Sequence, residues 1–413
     1  MNESRLQSTL AAVAAGETHD FAWLDGGPQT PGWIGVRADR CIESDTLDDL
    51  VALDAAWKAD PSAIWIGWID YDLGVDALLG RTARPGARAG FCARRYPSAQ
   101  RIHAGGSVAA AQPPGRWPLG RLEALTPAQD YRAKVARAIE YIRAGDTYQI
   151  NLSQAFEAQV DSSRTLSRCA LDLYLRLREA TPASMGALIQ GGGAQWIVSN
   201  SPETLFDLRF VDPRDPRGAA EIASWPIKGT RPRHADPQAD AAAGRELLAS
   251  EKDAAEHIMI VDLVRNDLGR IAQTGSVRVV GAPYLTSLPT VHHLVSEVRA
   301  TLPAGWSLQG VAASLFPGGS ITGAPKRRTC EIIDALEGAR RGIYCGAIFV
   351  LEPDGARFSI PIRTGELGAG SLRLRSGGGI VVDSDPEAER LETLAKARAF
   401  DPSGPVPGPQ ALG

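Results

Sequence analysis

Apolar and polar positions along the chain switch repeatedly between alternation and helical spacing, the mark of mixed strands and helices. Residues 63–69 form a Trp- and Ile-rich run that reads as a strand, with Asp70-Tyr71-Asp72-Leu73-Gly74 as its end with turn residues. Thr126-Pro127-Ala128-Gln129 has the form of a capping box with Pro at the first helical position. Tyr131, Val135, Ile139 and Ile142 then recur at helical spacing until Gly145. The stretch 148–160 alternates as a strand, and 187–197 predicts a hairpin around Gly191-Gly192-Gly193. A helix over 250–268, capped by Ser250 and Asp253 and closed by Gly269, places Asp253, Glu256, Ile260, Leu263 and Asp267 on one face. Acids on such a face are solvated at the core's edge, paired, or metal-bound. Ser384-Asp385-Pro386-Glu387 opens, as a second capping box, a helix to about Phe400, where Glu392 lies on the stripe of Ala388, Ala395 and Ala399. Phe358, Ile360 and Ile362 alternate with Ser359, Pro361 and Arg363, which puts Arg363 on the non-core face of a strand. Gly377-Gly378-Gly379 reads as the entry to a strand at Ile380-Val381-Val382.

At 413 residues the chain is long enough for two or three domains or one large body. Residues 78–120 fill with Gly, Ala, Arg and Pro, including Pro113-Pro114-Gly115. The organisation expected is an irregular α/β region over 1–120, a main region over 121–403 and a tail over 404–413. Lys plus Arg number 44 against 48 for Asp plus Glu, and the net of -4 argues against nucleic acid as the main partner. Hydrophobic residues at 44% and charged residues at 22% exclude disorder and coiled coil as the main class. Cys41, Cys92, Cys169, Cys330 and Cys345 are widely spaced with no CxxC, so neither a disulfide framework nor a zinc ribbon is expected. Residues 1–20 carry Glu3, Arg5, Glu17 and Asp20 and no sustained apolar block. The uncharged runs 183–202 and 303–325 contain clustered Gly with polar residues or Pro, so the expectation is a cytoplasmic chain that does not span a membrane.

The Gly-rich segment from Phe316 to Lys326 departs from a phosphate loop, because Ala324-Pro325 separates Gly323 from the lysine. What remains is a loop of backbone N–H groups and hydroxyls with a lysine at its end, suited to carboxylates as well as phosphates. His257 has Val261 four residues on, and adjacent His292 and His293 cannot both point into one site if extended, so zinc-hydrolase spacing is lacking. Ser320 is flanked wrongly for a nucleophile elbow, and no GxGxxG follows a strand.

Taken in order, Tyr71-Asp72-Leu73-Gly74, Ser201-Pro202-Glu203, Pro226-Ile227-Lys228-Gly229-Thr230-Arg231-Pro232-Arg233, the Gly-rich loop, Ile362-Arg363-Thr364 and residues 377–383 make the chain resemble the chorismate-utilising enzymes. The resemblance implies an α+β fold, a large antiparallel β-sheet sandwich with outer helices and the active site between the sheets. Within the family, aminodeoxychorismate synthases carry lysine at the third position of the Pro226-Ile227-Lys228-Gly229-Thr230 motif, whereas anthranilate synthases carry a small residue, usually alanine. With Lys228 the resemblance implies amination of chorismate by ammonia at C4, toward 4-aminobenzoate and folate. The rival readings are anthranilate synthase component I and a non-catalytic chorismate-binding scaffold. As a nucleophile at C2 the Lys228 amine must be partly neutral, so burial or nearby cationic charge is expected to lower its pKa.

Carried over residue by residue, the family's site makes Glu256 and Glu392 the Mg²⁺ ligands, and Glu203 the general acid that protonates the leaving 4-hydroxyl. It makes Arg363, with Tyr344, a clamp on the enolpyruvyl carboxylate. Gly377, Gly378 and Gly379 would offer backbone N–H groups to the ring carboxylate, with Ser320, Lys326 and His293 lining the pocket. The family's amidotransferase domain has no counterpart in these residues, so ammonia is expected from a separate glutamine amidotransferase subunit. Members that bind tryptophan carry Leu-Leu-Glu-Ser or Leu-Leu-Asp-Ser in the N-terminal part, from which the best match here, Trp23-Leu24-Asp25-Gly26, departs.

Overall fold

The computed structural model describes residues 3–26, 31–82, 88–102, 115–192, 195–288, 291–368 and 370–401. Gly193 of the expected hairpin turn and the tail over 404–413 lie outside the described residues. Among those described, two ten-stranded sheets form, every pairing antiparallel. The first sheet runs from the short strand Gly323–Ala324 through Gln149–Gln159, Ser371–Ile380, Thr364–Leu367, Trp196–Ser201 and Met185–Gln190 to Ala22–Leu24 and its neighbours. The second runs from Ile227–Pro232 through Val291–Leu302, Ala220–Ser224, Thr204–Phe210, Gly355–Ser359 and Ala347–Glu352 to Ile64–Ile69, Phe91–Tyr96 and Arg40–Ser44. This is the antiparallel sandwich with outer helices that the family resemblance implies.

The facing sides of the sheets meet in one apolar cluster, with Leu24, Trp33 and Ala187 from the first sheet against Ile66, Trp68, Ile348 and Val350 from the second. Their removal from water is the main favourable contribution to sandwich assembly. Helix Leu166–Ala180 covers the first sheet's outer side through Leu171, Tyr174 and Leu175, while Leu50–Ala59 and Leu308–Leu315 pack with the second sheet. Helices Ala128–Arg143 and Lys326–Glu337 close over Ile150, Leu152 and Ile380.

Several local expectations change. Asp70 does not end a strand in a turn: strand Ile64–Ile69 passes directly into a helix, Tyr71–Leu79, closed by left-handed Gly80. Asp70 makes no side-chain cap there because its Oδ1 accepts from Arg88 at 2.9 Å. Gly74 belongs in that helix for want of space, since a Cβ would lie 2.5 Å from the Phe316 ring. Thr126 does not cap the Ala128–Arg143 helix, which starts after Pro127 with no side-chain cap. At the last helix, Pro386–Ala397, the cap is Asp385, accepting from the N–H groups of Glu387 and Ala388; Ser384 instead donates to Glu389. The three glycines lie inside strand Ser371–Ile380, opposite Ser153, Leu152 and Asn151.

Arg363 is not on a strand. Two of the chain's crossings between the sheets lie side by side. Pro202 and Glu203 carry it from Trp196–Ser201 into Thr204–Phe210, and residues 360–363 return it from Gly355–Ser359 into Thr364–Leu367. The links are laced together: Ile360 N donates to Glu203 O at 3.0 Å, Asn200 N to Arg363 O at 3.0 Å, and Ser201 Oγ to Ile360 O at 2.5 Å. Arg363 turns the corner at φ 48, a left-handed conformation uncommon outside glycine. No described helix is long and apolar enough to cross a membrane.

Candidate active site

A cavity of about 760 Å³ opens beside these crossings, a size suited to a small-molecule ligand. Glu203 and Arg363 line it from the two links, Lys228 and His293 from the second sheet, Gly377, Gly378 and Gly379 from the first, and Glu256 and Glu392 from two helices. Tyr344 and Ser320 complete this group.

Lys228 owes its position to an irregularity. Strand Ile227–Pro232 slips register against Val291–Leu302 between Ile227 and Thr230, one extra residue fitted by Gly229 at φ 85. Bulges of this kind re-aim a side chain. The Lys228 amine lies 3.7 Å from Glu256 Oε2, and 3.0 Å from where a Cβ on Gly379 would stand. Its charged partner is thus a carboxylate, where the sequence reading offered burial or a nearby cation. Glu256 in turn reaches the cavity because Ser250 Oγ caps its helix, accepting from Asp253 N at 3.2 Å, as expected.

Glu203 is 9% exposed and accepts one side-chain bond, from Ser320 Oγ at 2.7 Å. Burial raises its carboxyl above the ordinary 4.5, outweighing the Ser320 bond and the charges of Lys228 and Lys396. A carboxyl raised in this way holds its proton to higher pH, the property a proton donor needs. Burial also lowers the Arg363 guanidinium, and it forms no ion pair among the described residues. Burial and the adjacent Arg363 charge push His293 down to about 4, so the imidazole is neutral at pH 7; its Nδ1 lies 3.0 Å from Thr230 Oγ1. His292 points away, to Asp240 at 3.0 Å and Ser287 at 2.8 Å.

Beyond Leu374 the strand Ser371–Ile380 loses Thr364–Leu367 as its neighbour, so the edge of its glycine run is unpaired among the described residues. Exposed backbone there can meet an anion. Gly378 leaves room for acids: a Cβ would lie 3.0 Å from Glu389 Oε2 and 3.5 Å from Glu392 Oε1. Burial raises the Glu389 carboxyl, and the neighbouring Glu392 charge raises it further against a Ser384 bond. Glu392 is met by Lys396 at 2.5 Å, and Lys396 also donates to Gly377 O. Glu256, Glu389 and Glu392 all line this cavity and offer only oxygen donors, a chemistry that fits Mg²⁺ and not a soft metal.

Lys326 is not among the cavity's lining residues. It spans from the Gly-rich segment to Asp267 at 2.7 Å and Ser314 O at 3.2 Å, a strut under the loop, of which Ser320 and Ile321 reach the cavity. Sequence reasoning missed Glu389, Lys396, Asn151 and Ser376, all cavity-lining, and Gln149 behind Gly379. Gln149 is fully buried, and neither of its amide atoms has a partner among the described residues. Gln149 falls in the polar phase of the 148–160 alternation, with Asn151 and Ser153, so the alternation gives no signal that it is buried.

Behind the cavity wall lies a second charged group. Glu337 Oε1 accepts from Ser153 N and Oγ at 2.8 Å and from Arg341 Nη2 at 2.7 Å; its Oε2 accepts from Arg341 Nε at 3.0 Å and Arg375 Nη2 at 2.9 Å. Arg341 also donates to Ile321 O and Asn151 O, tying the Gly-rich loop to the first sheet.

The model of a family described as chorismate binding enzyme matches residues 38–402, so the chain belongs to that family. Anthranilate synthase component 1 of Streptomyces coelicolor is 41% identical over 308 residues, 74% of this chain and 57% of that one. Aminodeoxychorismate synthase component 1 of Klebsiella aerogenes is 44% identical over 270 residues, 65% of this chain and 56% of that one. The chain thus spans little more than half the length of these curated relatives. The solved anthranilate synthase component I of Streptococcus pneumoniae superposes with TM-score 0.71 at 24% identity, covering 93% of this chain and 91% of that one, a likeness of fold.

Proposed function

We propose that this chorismate-binding enzyme is an aminodeoxychorismate synthase component I, which replaces the 4-hydroxyl of chorismate by an amino group. The observation that carries the reading is the primary amine of Lys228, aimed by a strand bulge into the cavity that also holds the buried acid Glu203. An anthranilate synthase adds nitrogen at C2 and has no use for a second nucleophile there. Relatives of both names stand at comparable identity, so the reading rests on this residue and not on overall similarity.

The Lys228 amine attacks C2 of the ring. The C1–C2 double bond moves to C1–C6, the C5–C6 double bond moves to C4–C5, and the C4–O bond breaks. Glu203, its carboxyl raised by burial, delivers a proton to the departing oxygen, which leaves as water. Ammonia then attacks C4, the double bonds return, and the C2–N bond to Lys228 breaks. The Arg363 guanidinium, unpaired among the described residues, holds the enolpyruvyl carboxylate, and the glycine run faces the ring carboxylate. Neutral His293 adds no charge beside Arg363. Glu256, Glu389 and Glu392 would hold Mg²⁺, which when bound neutralises the ring carboxylate and acts as a Lewis acid. The ammonia is supplied by a separate glutamine amidotransferase subunit, and the setting is cytoplasmic.

Product analysis after incubation with chorismate, Mg²⁺ and an ammonium salt tests the reading. The expected product is 4-amino-4-deoxychorismate, and stopping the reaction without ammonia leaves a dehydrated chorismate adduct on Lys228. Anthranilate as the sole product, or no turnover, overturns it.

A further inference from the structure

The far end of the second sheet carries a group that the chorismate chemistry does not use. Edge strand Arg40–Ser44 pairs antiparallel with Phe91–Tyr96, setting Glu43 opposite Cys92 and Cys41 opposite Arg94. Residues two apart on a strand share a face, so these four side chains rise on one side of the sheet. Cys41 Sγ lies 3.8 Å from Cys92 Sγ, and Cys92 Sγ lies 3.7 Å from Glu43 Oε1; the three atoms all fall within 4.8 Å of one another.

These separations have a chemical meaning. Two sulfurs on a tetrahedral zinc, each about 2.3 Å from the ion, stand about 3.8 Å apart, and a sulfur and a carboxylate oxygen stand about 3.5 Å apart. We propose that Cys41, Cys92 and Glu43 form a binding site for Zn²⁺ or a similar thiophilic divalent cation, the three side chains supplying one face of a tetrahedron. Cys41 and Glu43 are exposed, so the fourth position is open to water. Cys92 is buried, which fixes one ligand against the sheet.

Two thiolates and a carboxylate carry three negative charges; the cation cancels two, and Arg94, 4.0 Å from Glu43 Oε1, lies beside the remainder. Arg94 is held in place by Asp20 at 3.5 Å, by Gln190 O, and over the Trp68 ring. The donors differ in kind from the acids of the cavity, where Mg²⁺ fits. The ion would clip the edge strand to its neighbour, and a clipped edge pairs less readily with other chains.

The test uses the full chain, reduced and freed of metal by a chelator, then given excess Mg²⁺ to occupy oxygen-only sites. Adding Co²⁺ as a probe should produce a thiolate-to-cobalt charge-transfer band that saturates at one equivalent and is displaced by Zn²⁺. Zn²⁺ should also shield Cys41, the one exposed cysteine, from a thiol reagent. Cys41→Ser should abolish the band, and Glu43→Gln should weaken binding by about tenfold or more. Both side chains are exposed, so the variants should keep the circular dichroism of the parent. Absence of the band in the reduced chain, or a band unchanged in Cys41→Ser, overturns the proposal.

Discussion

The chain buries charge in two adjoining places and treats it in opposite ways. Behind the cavity wall, Glu337 satisfies both oxygens with Arg341, Arg375 and Ser153, and Arg341 spends its remaining donors on backbone carbonyls. Inside the cavity, Glu203 has one side-chain bond, Arg363 has no ion pair among the described residues, and Lys228 faces Glu256 at a loose 3.7 Å. The difference separates structure from readiness. A buried carboxylate with every lone pair met holds backbone segments in register, whereas groups left short of partners are poised for a ligand that brings them. The pKa shifts agree in direction. Burial pushes both acids up, but at Glu337 the two guanidinium groups outweigh burial and hold the carboxyl below its ordinary 4.5, while Glu203 stays above it.

The comparison can be broken most severely at Glu337. Glu337→Gln leaves two buried guanidinium groups without their shared acceptor and should cost about 3–5 kcal/mol in denaturant unfolding. A loss below about 1 kcal/mol, the range of surface pairs, would mean that the cluster is not the strut described. Chelation with EDTA should reverse the pattern, removing turnover while leaving the melting temperature of the Glu337 framework in place. Full activity in EDTA would remove the role given to Glu256, Glu389 and Glu392. Next in size, Lys228→Ala should lower 4-amino product formation by at least about tenfold with little change in stability. If Lys228→Arg keeps most activity, the amine acts through charge alone. Arg363→Lys should raise KM for chorismate several-fold through loss of bidentate contact, with a smaller effect on kcat.

The smallest effect is also the sharpest contrast. Glu203 has a raised pKa, so its contribution to stability is complete below 4.5 and fades as pH rises through the folded value. Glu337 has a lowered pKa, so its contribution is present above 4.5 and is lost as pH falls through the folded value. Unfolding free energies against pH for Glu203→Gln and Glu337→Gln should therefore differ from the parent with opposite slopes. Turnover should fall as Glu203 ionises on the alkaline side, and parallel slopes in the two variants would dissolve the distinction.

Much of this site is legible in the amino-acid sequence because its residues sit in short motifs with fixed local spacing. Lys228, Glu203, Arg363 and the glycines all reach the cavity. What failed was long-range or competitive. The alternation of Phe358, Ile360 and Ile362 continues past the end of strand Gly355–Ser359, because local periodicity carries no mark of a chain leaving one sheet for the other. Lys326 has the look of a pocket residue in sequence, but Asp267, far away along the chain, claims it. Glu389 stands one turn before Glu392, off the alanine stripe that draws attention to that helix. Ser384 and Asp385 compete for one cap, and the carboxylate takes both N–H groups.

The paired crossings at Pro202–Glu203 and at 360–363 also set a timetable. Each link is finished only when strands from both sheets are in place, and the flanking pairings join distant positions such as Ser199 with Thr364 and Thr204 with Ser359. Contacts so far apart in sequence close slowly. Refolding should therefore recover helical and sheet signals before it recovers the ability to bind chorismate. A substitution that merely slides one sheet over the other would pass unnoticed in circular dichroism and be plain in an assay, because Glu203 and Arg363 hang from the two threads that such a slide would pull.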